Sequence, residues 1–308
     1  MSEATVAREA PRALEQPRVR GIGGWVRNPW RKPRFLQAVT WGYLAWSILP
    51  VVIAVVFSFN AGRSRSTWQG FSMRWWYGDP FDSLWTDAAL RAAMFQTLRL
   101  SVLTVLIAVP IGTAFAIGID RWHGRPPRAA NFAMLLSFVV PEIILGVSLF
   151  LLITNLLSNA LSLGTTAQVI GLATFQVSYP VIIVRARLLT IGSEYEDAAM
   201  DLGATPGQSV RRVLLPLLWP AILASVALVF ADSVDNFVTV RYLSAQAATE
   251  PLSVKIYSAA RSSPTPAVNA AATVMLVSTL LVITLGWLLY RRLSRGQERG
   301  EVPRFANL

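Results

Sequence analysis

Six apolar runs decide what this chain can become. They lie at about 38–59, 96–119, 130–154, 167–190, 217–240 and 268–290. A helix rises about 1.5 Å per residue and a bilayer core is about 30 Å thick, so roughly 20 apolar residues cross it. Each run is long enough. Backbone polar groups in lipid must be satisfied internally, and runs of this length do that as helices. The expectation is an all-α membrane protein with six transmembrane helices. A hydrophobic content of 54% over 308 residues agrees.

Lys and Arg placement sets the orientation. The net charge is +11. The N-terminal tail carries Arg8, Arg12, Arg18, Arg20, Arg27, Arg31, Lys32 and Arg34. Arg121, Arg125 and Arg128 follow span two, Arg185, Arg187, Arg211 and Arg212 follow span four, and Arg291, Arg292, Arg295, Arg299 and Arg304 follow span six. These fall on one side, expected to be cytoplasmic with both termini, and Arg185 and Arg187 are expected to snorkel to lipid headgroups. The loops at 60–95 and 241–267 are expected outside, the first rich in tryptophan (Trp68, Trp75, Trp76, Trp85) as an interfacial belt or a docking face. Topology accounts for the basic excess, so nucleic-acid binding is not invoked. The first 37 residues hold no apolar core of signal-peptide type, and span one is expected to act as an uncleaved anchor. The chain thus reads as a tail over 1–37, a six-span domain over 38–290 and a tail over 291–308.

Several chemistries are excluded. There is no cysteine, and His123 is the one histidine, so no metal site is expected. The lysines Lys32 and Lys255 do not follow glycine, so no Walker A loop exists. Leu293-Ser294-Arg295-Gly296-Gln297 looks like an ATPase signature but stands in a short basic tail with no nucleotide domain. Pro50, Pro110, Pro141 and Pro180 fall inside the first four spans and are expected to kink them.

The segment 194–216 is charged and glycine-broken, between two apolar runs. Ser193 and Glu196 fit a capping box, Glu194, Glu196 and Asp197 suit the positive end of a helix dipole, and Gly203 fits the helix end. Thr205, Pro206 and Gln208 then start a second helix, expected to stop at Pro216 before span five. This is a stiff pair of short helices, with Val210, Val213 and Leu214 on one side and Gln208, Arg211 and Arg212 on another.

Here the chain resembles the permease subunits of bacterial ABC importers. Their pattern of Glu-Ala-Ala, Gly, Ile and Leu-Pro is met by Asp197-Ala198-Ala199, Gly203, Val213 and Leu215-Pro216 with every spacing kept. VVPEIILGVSLFLL (139–152) and the stretch 233–276 look like the second permease of spermidine/putrescine-type importers. The resemblance runs from about 65 to the end of span six. It implies a type I ABC importer (MetI-like) permease fold in the bacterial inner membrane. Glu196, Asp197, Ala198, Ala199, Gly203, Ala204, Thr205, Pro206 and Pro216 would form the coupling helix that enters a cytoplasmic ATPase dimer. It implies a second permease, commonly a different chain, and an external solute-binding protein as further partners. ATP and Mg would sit on the ATPase, with no cofactor in this chain and no enzymatic activity of its own. One departure stands out: that group commonly carries two adjacent acids where this chain has Asp235-Asn236.

Glu142, Asp232 and Asp235 lie within predicted spans, the first two near mid-span, and Asn236 shares a face with the last two by helical spacing. A carboxylate at the bilayer centre costs about 2.5–3.5 kcal/mol, so such residues mark a path or a partner. One reading is an acidic translocation path for a polyamine or related organic cation; the other is pairing with a second subunit. Thiamine, iron and other small organic solutes are alternatives for such a permease. An ion-gradient transporter would use the same acids but gives no reason for the 194–216 unit. A membrane enzyme lacks a catalytic constellation here.

Overall fold

The computed structural model describes residues 34–294 except Arg65, 122–128, 130–131, 133–138, Gln246 and 262–264. Both tails beyond 34–294, most of the basic loop after span two and much of the third apolar run lie outside the described residues. So does most of the signature-like Leu293–Gln297. The chain divides into two compact units after Ile53. The first contains most of helix α1 (Arg34–Phe57), which carries Pro50 inside.

The second unit is helical. A loop over 58–87 contains a π-helical turn at Arg74–Gly78. It leads to α2 (Ala88–Arg121), α3 (Glu142–Asn155), α4 (Thr165–Gln176), α5 (Ser178–Ile191), α6 (Glu194–Asp201) and α7 (Pro206–Ser209). A second π-helical turn, Val210–Leu214, passes into α8 (Leu215–Asp235), then α9 (Val238–Leu243), α10 (Leu252–Arg261) and α11 (Pro266–Ser294). Among the described residues, five stretches are long and apolar enough to cross a membrane: Phe35–Phe57, Ala88–Arg121, Thr165–Ile191, Pro206–Asp235 and Pro266–Arg292. The third predicted run contributes the shorter apolar helix α3.

Packing follows the helical period. Along α2 the buried positions Leu90, Ala93, Met94, Thr97, Leu100, Ser101, Thr104 and Ala108 form one stripe, while Val102 and Leu106 on the other side are exposed. Two hydroxyls on that stripe bond back to their own helix, Thr97 to the Ala93 carbonyl at 3.0 Å and Ser101 to the Thr97 carbonyl at 2.9 Å. At one end of the bundle, Trp75 and Leu84 of the 58–87 loop pack with Leu90, Met94, Leu252 and Met275. At the other, Ala116, Val181, Val184, Leu188, Leu214 and Leu218 tie α2, α5 and α8 together. Midway, α2 and α5 touch through Gly112. A Cβ there would stand 2.4 Å from Pro180 Cγ and 2.7 Å from the Val177 carbonyl oxygen, so only glycine permits the approach.

The prolines act differently from uniform kinks. Pro110 lies inside α2, and Pro180 stands in the first turn of α5, just past the α4–α5 join at Val177. Pro141 precedes the first residue of α3, so it opens a helix rather than bending one. Pro216 does not stop a helix, contrary to expectation. The chain runs on from α7 to α8, and the Leu215 N–H bonds the Val210 carbonyl five residues back. That wider turn ends one residue before Pro216, where an α-turn would meet the proline ring.

Candidate functional site

The 194–209 unit is built from local signals. Leu202 caps the C-terminus of α6, and Gly203 follows at φ +87°. The Gly203 N–H reaches the Met200 carbonyl at 2.9 Å and the Ala204 N–H the Ala199 carbonyl at 3.0 Å. This pair of bonds satisfies helix-end carbonyls, and it needs a left-handed residue at 203. Thr205 then caps α7: its hydroxyl accepts from the Gln208 N–H, the Gln208 side chain accepts from the Thr205 N–H, and Pro206 stands at the helix start. The Ser209 hydroxyl ties back to the Glu196 carbonyl at 3.3 Å.

Ser193 makes no capping bond. Its expected partner Glu196 is instead buried and drawn to Arg121 at the end of α2. Arg121 Nη2 lies 2.5 Å and Nε 2.8 Å from Glu196 Oε2, Nη1 is 2.6 Å from Asp120 Oδ2, and Nη2 donates to the Gly192 carbonyl at 2.8 Å. The guanidinium fork serves three acceptors at once, which outcompetes a solvent-exposed serine cap. Asp197 and Ala198 remain exposed and Ala199 half-buried. The tip is more apolar than its sequence promised: Leu202 is 90% exposed, Tyr195 56% and Met200 40%. Arg211 and Arg212 are exposed, while Leu214 is buried. Arg187 is half-buried with Nε 3.5 Å from the Leu217 carbonyl, so it leans on α8.

The carboxylates occupy helix ends. The fifth run breaks at Asn236, whose ψ of 122° ends α8, so Asp232 and Asp235 fall in the last turn of that helix. Glu142 opens α3. Asp232 and Asp235 keep their helical spacing on α8, but the break carries Asn236 off that face. Asp232 turns to span four, accepting from Gln176 Nε2 at 2.8 Å and Tyr179 Oη at 3.2 Å, and Ser233 bonds Gln176 Oε1 at 2.7 Å. Asn236 turns to α3, where its Nδ2 and the Thr239 hydroxyl both donate to Glu142 Oε1, at 2.5 and 2.9 Å. Asp235 is exposed and lines a groove of about 280 Å³ with Leu252, Ser253, Met275 and Thr279. The Ser253 hydroxyl donates to the Asn236 carbonyl at 2.7 Å, so α10 is fastened to the same break.

Among the described residues, no Lys or Arg pairs with Glu142, Asp232 or Asp235. Helix dipoles favour Glu142 at a helix start but oppose Asp232 and Asp235 at a helix C-terminus. Gln176, Tyr179, Thr239 and Arg121 escaped the sequence reading. Gln176 and Tyr179 were visible as polar residues three apart in an apolar run, a spacing that shares a helix face. No group of three or more potential ligands able to hold a metal occurs among the described residues.

Known proteins resemble this chain in sequence and in fold. The model of the binding-protein-dependent transport system inner membrane component family matches residues 108–299, more than half of the chain. The putrescine transport system permease protein PotI of Escherichia coli (strain K12) is 32% identical over 282 residues, covering 89% of this chain and 95% of that one. The spermidine/putrescine transport system permease protein PotC of Haemophilus influenzae is 29% identical, covering 80% and 93%. The molybdenum transport system permease protein ModB of Mycobacterium bovis is 28% identical, covering 78% and 93%. A bacterial ABC transporter involved in import of the acidic polysaccharide alginate shares the fold, with a TM-score of 0.63 at 17% identity over 84% of this chain and 95% of that one. The MetNI methionine ABC transporter shares it with a TM-score of 0.54 at 19% identity, covering 67% and 96%. The relatives are membrane transport components rather than enzymes, and this chain belongs to the binding-protein-dependent transport system inner membrane component family, the permeases of ABC importers.

Proposed function

We propose that this permease forms half of the translocation path for a polyamine or a related organic cation. The observation that carries the reading is the set of Glu142, Asp232 and Asp235 around the α8–α9 break, with no cationic side chain paired to them among the described residues. Carboxylates in membrane spans are costly, and two of these oppose a helix dipole, so stability alone does not account for them. A diammonium solute supplies the missing countercharge, and similarity to putrescine and spermidine/putrescine permeases supports the choice. Similarity to a molybdenum transport system permease marks a molybdenum-containing solute as the competing reading.

The remaining parts follow from the same reading. The 194–209 unit docks on a cytoplasmic ATPase dimer, with Tyr195, Met200 and Leu202 as its apolar contact. Both termini are cytoplasmic, a second permease completes the path, and an external binding protein delivers the solute. The test is putrescine uptake by the reconstituted complex. Asp235→Asn and Asp232→Asn each lower uptake and the double change lowers it further, with assembly intact. Unchanged uptake in the double variant removes the acidic path. Failed assembly assigns these acids to holding the partner permease instead.

A further inference from the structure

Arg121 does more than satisfy local charges. The 194–209 unit is joined covalently to α5 and α8. On the α5 side the joint is Gly192, at φ +71° with open space around its Cα, a position where the backbone can pivot. Arg121 grips the chain twice beyond that pivot, at the Gly192 carbonyl and at the Glu196 carboxylate. It extends from the last turn of α2, which shares no covalent link with the unit. Glu196 and Asp120 side chains are each only 10% exposed, so these bonds are largely shielded from water.

The opposite end of α2 is fastened as well. Thr97 Oγ1 accepts from the Leu252 N–H at 2.8 Å at the start of α10, and Gln96 Nε2 donates to Gln168 Oε1 at 2.8 Å. Ser253, next to Leu252, holds the Asn236 carbonyl. One unbroken helix therefore connects Arg121 to the segment that frames Asp235 and Asn236.

We infer that Arg121 is a positioning residue for energy coupling: it locks the 194–209 unit to α2, so that displacement of the unit moves α2 and α10 as well as α8. The inference rests on the proposed role of that unit. Without the lock, the unit turns about Gly192 and only α8 follows.

The experiment uses the complete complex of both permeases, ATPase and binding protein in proteoliposomes, reading putrescine uptake per ATP hydrolysed. Arg121→Gln is expected to lower that ratio about tenfold while hydrolysis persists. Arg121→Lys, which keeps a cation within reach of Glu196, is expected to recover part of it, and Arg121→Met, uncharged and of similar length, is not. Gly203→Asp is the reference for the unit itself. A normal ratio in Arg121→Gln beside an uncoupled Gly203→Asp overturns the role of Arg121 and leaves the unit's role standing. Normal ratios in both overturn the unit's role and this inference with it. If Arg121→Gln fails to assemble, Glu196→Gln decides, and a normal ratio in that assembled variant counts against the lock. If the parent complex takes up no putrescine, the polyamine reading falls. The lock is then read from maleimide labelling of Ala272→Cys beside Asp235, with and without vanadate-trapped nucleotide. Loss of the nucleotide-dependent change in Arg121→Gln supports the lock; its persistence overturns it.

Discussion

The amide of Asn236 donates to the carboxylate of Glu142 at 2.5 Å, joining positions 94 residues apart. Thr239 adds a second donor to the same oxygen. The pair holds the start of α3 against the break between α8 and α9. Asp in place of Asn236, as the related group commonly has, would set two carboxylates at hydrogen-bond distance, whereas the amide leaves Glu142 with a donor. Glu142→Ala strands two donors, Asn236 being buried. Each buried polar group left unsatisfied costs about 1–3 kcal/mol. A thermal melt of the purified complex should show that loss for Glu142→Ala and recover most of it for Glu142→Gln, whose amide oxygen still accepts. Equal melting temperatures for the two variants would mean the bond holds nothing.

The apolar tip gives a second prediction. Leu202 is 90% exposed, so Leu202→Ser should change the stability of this chain by no more than about 0.5 kcal/mol. If the tip fills a groove on the ATPase, the same change should weaken ATPase binding about tenfold, as truncation of a central apolar contact does. Titration of purified ATPase onto the permease pair measures this, and unaltered affinity would move the contact elsewhere on the unit.

How far the sequence carried this result depends on the range of each signal. Gly203, Thr205, Pro206 and Gln208 act within a single turn, and the structure places their caps as their spacing predicted. Run length likewise located the spanning stretches, because the bilayer sets a length and not a partner. The failures involve choices between local and distant partners. Ser193 lost Glu196 to Arg121, 75 residues earlier, and no periodicity reports such a pairing. Asn236 shares a face with Asp232 and Asp235 only if the helix continues; the break after Asp235 turns it to Glu142 of α3 instead. Pro216 carried a stop signal that the π-helical turn before it absorbed.

Gly112 tests the closest helix approach. A methyl at that position meets Pro180 Cγ at 2.4 Å and the Val177 carbonyl oxygen at 2.7 Å, and neither belongs to a flexible side chain. Gly112→Ala must push α5 from α2, at a cost of about 1–3 kcal/mol. The Ala116, Val181 and Val184 contacts lie one turn on, so the displacement should reach the packing beneath the 194–209 unit. A lowered melting temperature and reduced uptake are expected together; a variant melting like the parent would show that the helices part without strain.

Orientation is open to chemical labelling. Cysteine is absent from the chain, so a single Ser66→Cys in the 58–87 loop is unambiguous, and Ser66 is exposed. An impermeant maleimide should reach it from outside intact cells. Labelling only from the cytoplasmic side would invert the topology and remove the ATPase from the 194–209 unit.

The 58–87 loop should carry its own acid sensitivity through Asp79. Its Oδ1 accepts from the Asp82 and Phe81 N–H groups, each at 2.9 Å, and its Oδ2 lies 2.6 Å from Arg74 Nη2 and 2.7 Å from Nε. The Asp82 amide, then the Phe81 amide and the Arg74 side chain, hold the carboxyl down to about 2. An unfolded aspartate titrates near ~3.9. A group whose folded value is depressed contributes stability that is complete above the unfolded value and lost as pH falls through the folded one. The contribution of Asp79 is therefore full above about pH 4 and disappears toward pH 2. This matters for the fold because Arg74 and Asp79 bracket Trp75, which is fully buried and donates its Nε1 proton to the Asn60 carbonyl at 2.6 Å. Asp79→Asn keeps the shape but removes the charge. The melting temperature of parent minus variant should be largest above pH 4 and shrink steadily below it. A difference that stays constant from neutral pH to pH 2 would show that packing of the loop, and not the ionised carboxylate, holds Trp75 in place.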